Sequence, residues 1–219
     1  MNVAPSFTAG ANQSALEDAG AQTVAGWATS ISPGPASESS QTVTFSASAA
    51  DTSLFAVQPA LSSTGTLTYT PAADANGSTD VTVTAHDDGG TANGGNDTSP
   101  SQPFTITLTA VNDAPSFVKG PNQSGLSPLG AQNVAGWATA ISPGPVNEAS
   151  QTVTFTVTND NPGLFSVPPA VSPNGTLTYT PALLAIGTAD VTLRAVDDGG
   201  SANGGVDTSP PQTFTISIL

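Results

Sequence analysis

The sequence has no cysteine and one histidine, and only two basic residues, Lys119 and Arg194, stand against 16 aspartates and glutamates. Without cysteine there are no disulfides and no thiolate metal sites, and the redox compartment cannot be read from cysteine usage. With a single imidazole, soft and borderline metals have little to hold them. The formal net charge of -14 disfavours nucleic acid and anionic membrane surfaces as partners, since both bind basic patches. No apolar run approaches transmembrane length. No signal peptide follows Met1, which reads either as an added start or as an internal excerpt. Charged residues make up only 8% of the chain while 37% are hydrophobic. The hydrophobic residues alternate with Thr and Ser, which argues for a folded protein and against a disordered polyelectrolyte.

What is present is a repeat. An offset of 110 residues aligns the two halves without a gap. Trp27 matches Trp137, Glu38 matches Glu148, Phe55 matches Phe165 and Tyr69 matches Tyr179. Asp87-Asp88-Gly89-Gly90 matches Asp197-Asp198-Gly199-Gly200. Roughly three fifths of the aligned positions are identical, which marks a true duplication. The copies are predicted to be two domains, residues 1–110 and 111–219. Between them lies Ala110-Val111-Asn112-Asp113-Ala114-Pro115, with a degenerate copy, Asn2-Val3-Ala4-Pro5, at the start. Pro115 lacks an N–H and biases Ala114 toward extended backbone, so this stretch reads as a short linker.

Each copy carries short alternating runs between turn signals. In the first they are Pro5–Thr8, Gln22–Ala28, Thr42–Ala47, Leu54–Val57, Thr66–Thr70, Asp80–Ala85 and Phe104–Ala110. About seven strands in about 110 residues predict a Greek-key β-sandwich. Threonine on the outward face suits a half-solvated pleated surface, and no stretch has helical periodicity. The fold class is therefore all-β, with two tandem sandwiches.

Four features carry a family resemblance: Leu54-Phe55 through Pro59 with Gly65-Thr66-Leu67; Val81 through Asp87; the closing Phe-Thr-Ile strand; and Val111-Asn112-Asp113-Ala114-Pro115. Each repeat resembles a bacterial cadherin-like, immunoglobulin-like domain of the kind found in tandem in giant secreted adhesins. The linker is similar to the Asp-x-Asn-Asp-Asn-Ala-Pro linker of animal cadherins, shortened by one Asn and lacking the leading Asp. The resemblance implies Ca²⁺ between successive domains. It puts Glu17 near the family's first-strand Glu, Asp74 at the Glu of Leu-Asp-Arg-Glu, Asn112 and Asp113 in the linker, and Asp197 at the Asp of Ala-x-Asp. The family's Asp-Ala-Asp motif falls at Ile141-Ser142-Pro143, where its acids are absent. Glu148, a few residues on, is a substitute.

The residues agree with calcium independently, because Asp/Asn/Gly loops supply the six to eight oxygens it takes. Two carboxylates about 4 Å apart repel by roughly 4 kcal/mol at an effective dielectric near 20. A cluster of acids in a chain with two basic residues therefore calls for a divalent cation. The first repeat has Glu17, Asp18 and Asp74 at the end predicted to face the linker; the second has Ser127, Pro128 and Leu184 there. Glu148, Asp197 and Asp198 are predicted to face it from the other side. The predicted metal ligands are thus Glu17, Asp18, Asp74, Asn112, Asp113, Glu148, Asp197 and Asp198, with Ca²⁺ as the ion.

The Gly-rich acidic loops 87–97 and 197–207 read either as further calcium loops or as mobile interstrand loops. Trp27 and Trp137 read either as core or as sugar-stacking platforms. His86 has Val196 as its equivalent and lies on an outward face, and no catalytic motif occurs, so the chain is not expected to be an enzyme. The function that follows is a calcium-stiffened extracellular extender or adhesion repeat of a bacterial surface or secreted protein. Its partners are neighbouring repeats and a cell-surface protein or glycan. Two alternatives stand beside it: a carbohydrate-binding accessory module of a secreted enzyme, and a self-assembling fibre subunit.

Overall fold

The computed structural model describes all residues, Met1–Leu219, and divides into two compact units, Met1–Ala110 and Val111–Leu219. The first holds nine strands: β1 (Ser6–Thr8), β2 (Gln13–Leu16), β3 (Gln22–Val24), β4 (Thr29–Ser32), β5 (Val43–Ala49), β6 (Phe55–Leu61), β7 (Leu67–Pro71), β8 (Gly77–Asp87) and β9 (Gln102–Thr109). A four-stranded sheet, β2-β9-β8-β5, and a three-stranded sheet, β3-β7-β6, form the sandwich, with β1 and β4 paired beside them. The second unit repeats this order with β10 (Ser116–Val118), β11 (Gln123–Gly125), β12 (Gln132–Val134), β13 (Thr139–Ser142), β14 (Thr154–Asn159), β15 (Phe165–Val171), β16 (Leu177–Pro181), β17 (Gly187–Val196) and β18 (Gln212–Ile218). Short 3-10 turns are the only helical segments, and no helix is long and apolar enough to cross a membrane.

Nine strands stand where seven were expected, because β2 and β4 lie outside every expected run. The expected first strand is β1, which pairs antiparallel with β4, and the chain then crosses to run as β2 parallel with β9, Gln13 opposite Ile106. The crossing lies over Trp27, where a Cβ on Gly10 would stand 2.6 Å from the Trp27 carbonyl oxygen. The stretch Gln22–Ala28 is not one strand. It stops at Val24, turns through Gly26 at φ +65, and resumes as β4. The turn drives Trp27 into the core at 3% exposure. The pattern of Phe104 to Ala110 also ends early, since Ala110 lies beyond β9 and is exposed.

Period-two alternation builds the core. Val81, Val83 and Ala85 of β8 and Phe104, Ile106 and Leu108 of β9 are buried together with Leu67 and Tyr69 of β7. Each fully buried aliphatic side chain contributes about 1.5–3 kcal/mol. Trp27 lies 4.4 Å from Phe104, centroid to centroid, and its Nε1 donates to the Ala11 carbonyl at 3.0 Å. Trp137 repeats this against Phe214 and the Pro121 carbonyl. Rings buried and hydrogen-bonded in this way offer no face to a sugar, so neither tryptophan is a stacking platform.

Candidate metal centre

The alternation that buries Val81, Val83 and Ala85 does not stop at the apolar residues. The next inward position is Asp87, which is 8% exposed, and in the second unit Val191, Leu193 and Ala195 lead to Asp197 at 7%. A carboxylate this deep needs donors or a cation. Asp197 Oδ1 accepts from Asn112 Nδ2 at 2.9 Å and from the Gly199 amide at 2.9 Å. Asp197 Oδ2 is buried and receives no donor. The first unit repeats each feature: Asp87 Oδ1 accepts from Asn2 Nδ2 at 2.7 Å and from Gly89, and Oδ2 has no donor.

Asn112 belongs to the second unit and is clasped by it. Its amide also donates to the Val206 carbonyl, its Oδ1 accepts from Gln151 Nε2 at 2.8 Å, and its own carbonyl accepts from the Val206 amide. Gln151 Oε1, like Asp197 Oδ2, is buried without a donor. Glycine 199 is required at this point, because a Cβ there would collide with Asn112 Oδ1, and a Cβ on Gly205 would come within 3.0 Å of Asn112 Cβ. The Gly-rich loops 87–97 and 197–207 are interstrand connections held by these contacts. They are wrapped around Asn2 and Asn112.

Glu148 ends the 3-10 turn Val146–Glu148 and is 6% exposed. Its Oε1 accepts from the Asp113 amide at 2.9 Å. The partner position in the first unit is Glu38, whose two oxygens accept from the Val3 amide. A Cβ on Gly144 or Gly34 would collide with the Oε2 of that glutamate. Asn112, Asp113, Glu148 and Asp197 thus meet at one end of the second unit. Asp198 does not join them. It is exposed, and the Thr152 amide and hydroxyl donate to its two oxygens. These bonds hold its carboxyl below the usual carboxylate range, as the Thr42 bonds do for Asp88.

The other end of the first unit gathers the remaining expected residues. The Glu17 amide bonds the Thr109 carbonyl at the close of β9, and Glu17 is 2% exposed with its Oε2 accepting from Asn76. Asp18 and Asp74 sit on exposed turns at φ +59 and +56, a conformation aspartate tolerates better than most residues. The Asp18 carboxylate accepts the Asp74 amide at 2.9 Å, and their carboxylate oxygens come within 4.8 Å of each other.

Two roles were missed from the sequence, those of Gln41/Gln151 and of Asn2. The signal was there in the repeat. Residues 36, 37 and 39 differ from 146, 147 and 149, while Glu38/Glu148 and Gln41/Gln151 are identical. His86 lies half-buried on the outward face with its ring nitrogens on Thr84 and Thr98.

No family model and no curated protein matches the chain. Solved structures do. One is the human protocadherin-24 EC1-2 structure, form II, at 17% identity and TM-score 0.57, with both chains covered in full. Another is human mucin-like protocadherin EC1-2, at 14% identity and TM-score 0.51, with 98% of each chain covered. The fold is cadherin-like, two β-sandwiches in tandem. A cadherin-like sandwich presents strand ends and loops at its two ends, and these are the ends where the buried acids collect. The donor set is oxygen throughout, carboxylate and amide, which suits a hard cation. Two buried oxygens without donors beside Asn112 fit such an ion.

Proposed function

We propose that the chain is a calcium-binding extender or adhesion segment of an extracellular protein, bacterial and surface-attached or secreted, and that it is not an enzyme. The observation that carries the reading is Asp197. A carboxylate at the end of a core row, with one oxygen satisfied and the other buried without a donor, is incomplete without a cation. Asp197, Asn112, Asp113 and Glu148 would hold calcium at the second unit, and Glu17, Asp18 and Asp74 would supply oxygens at the far end of the first. Calcium supplies charge neutralisation and multidentate bridging. The protein's own contribution is the clasp of Asn112, which fixes the linker before any ion arrives. The cadherin-like fold supports neighbouring repeats in a longer chain as partners, with a cell-surface protein or glycan as the adhesion ligand.

The test is calorimetric titration of calcium into the chelator-treated chain. Asp197→Asn is the decisive variant, with scattering profiles recorded for the native chain in calcium and in chelator. The reading expects heat of binding that Asp197→Asn reduces, and a profile that broadens on chelation. A chain that binds no calcium at millimolar concentration would sink it. An unchanged profile despite binding would remove the stiffening role alone.

A further inference from the structure

Each sandwich leaves one long, regular sheet edge open. In the first unit it is β5, an outer strand of the sheet β2-β9-β8-β5. The other edges are blunted in the ways natural sheets use. Strand β6 shifts register twice and contains Pro59, and β15 contains Pro168 and Pro169. Strands β2 and β3 are four and three residues long. Strand β5 runs seven residues in unbroken register with β8, with no proline and no charge.

One bond fixes which of its backbone groups face outward. The Ala50 amide donates to the Asp80 carbonyl at 2.9 Å, so Ser48, Ser46 and Thr44, at alternate steps along the same ladder, direct their N–H and C=O groups to β8. Those of Phe45 and Ala47 point the other way, where no backbone partner meets them. The side chains show the same opening. Val81, Val83 and Ala85, inward on β8, are fully buried, while Phe45 and Ala47, inward on β5, are partly exposed.

A second copy of the same edge fits this one. Laid antiparallel about Ser46, Phe45 of each copy stands opposite Ala47 of the other, in the pairing that exchanges both backbone bonds. A large side chain thus faces a small one at both places. Ser46 meets Ser46 on the outward face and Thr44 meets Ser48, so no charge faces its like. Strand β14 fits itself less well. It has six residues, and the same register sets Phe155 against Val157. Asn159 Oδ1 is also buried there without a donor. The acids nearest the β5 row, Asp51 and Asp88, lie beyond its two ends, with Asp88 bonded to Thr42. Antiparallel pairing brings Asp51 of one copy toward Asp88 of the other, which keeps the contact weak.

We propose that the β5 edge is a self-association surface, on which a second copy of the chain pairs antiparallel about Ser46 and joins two four-stranded sheets into one. The contact needs no metal.

Sedimentation velocity on the full chain in chelator tests this, over about 10 to 500 µM at about 0.15 M NaCl. The variants are Ser46→Glu and Ser46→Lys, both at an exposed position, with the exposed Thr156→Glu on β14 as control. The native chain should shift toward dimer with concentration, and Thr156→Glu should shift equally. Ser46→Glu and Ser46→Lys should each stay monomeric, because like charges then meet on the two-fold axis. Their equimolar mixture should recover the dimer, which also shows that both variants fold. A native chain monomeric throughout overturns the proposal. So does a Ser46→Glu chain that dimerises like the native, or a mixture that stays monomeric, since either removes Ser46 from the axis. Loss of the dimer in Thr156→Glu overturns it too, by moving the contact to β14. Because chelator is present, failure here leaves the calcium reading untouched.

Discussion

Asn112 donates its side-chain amide to Asp197 Oδ1 at 2.9 Å across 85 residues of sequence, and Asn2 does the same to Asp87 at 2.7 Å. The bond does two things at once. It fastens the linker to the unit that follows, and it turns the second carboxylate oxygen toward a space with no protein donor. Asp197→Asn should therefore act oppositely with and without calcium. In chelator the variant sheds a buried, half-satisfied charge and should melt at or above the native temperature. In calcium the native chain gains stability by mass action, about 2.7 kcal/mol at a hundred times the dissociation constant, and the variant should lose much of that gain. Paired melts read both signs, and a variant less stable in chelator contradicts the argument.

Trp27→Ala and Trp137→Ala should each destabilise their own unit by about 3–5 kcal/mol, the range for deleting a large buried aromatic. Both rings are buried against a phenylalanine, with the indole N–H bonded to a carbonyl. Denaturant unfolding should show one of two transitions moving. A loss under about 1 kcal/mol would mean that the ring packs far less tightly than its contacts indicate.

The two-unit sandwich was legible because the core follows period-two alternation, a local signal that repeats after 110 residues. Strands β2 and β4 were not. They depend on where Trp27 turns inward and on the close passage of Gly10, both long-range facts. The acids were legible as a set, since carboxylates in turns stand out in any sequence. Their partners were harder. Gln151 and Gly199 matter because they touch Asn112, and a residue that serves a linker from 39 positions away carries no mark of its own. Asp198 misled by adjacency: next to Asp197 in sequence, it alternates to the outside and bonds Thr152 instead.

That bond gives a pH dependence. Thr152 holds the Asp198 carboxyl below its ordinary value, and Thr42 does so for Asp88. A folded pKa below the unfolded value, near 3.9 for aspartate, contributes stability present above that value and lost as pH falls through the folded pKa. Thr42→Val/Thr152→Val should therefore lower the melting temperature slightly at pH 6 and converge on the native curve in strong acid. Thermal melts from pH 6 to 2 measure it. Curves that stay parallel down to pH 2 would show that the hydroxyls do not set these carboxyls.

Glu148 owes its position to the absence of a side chain at residue 144. A Cβ on Gly144 would collide with Glu148 Oε2, and the first unit has the same relation between Gly34 and Glu38. Gly144→Ala should therefore push the carboxylate away and weaken its bond to the Asp113 amide, now 2.9 Å. The expected loss is about 1–3 kcal/mol, typical for disturbing a buried hydrogen-bonded group. It should come with weaker calcium binding, because the displaced acid is one of the proposed ligands. A double-mutant cycle separates this from a generic glycine effect. In a Glu148→Ala background the added methyl has nothing to strike, so Gly144→Ala should cost much less there, with a coupling of about 0.5–3 kcal/mol between the sites. Additive losses would mean that the glycine serves the backbone of the turn and not the carboxylate beside it.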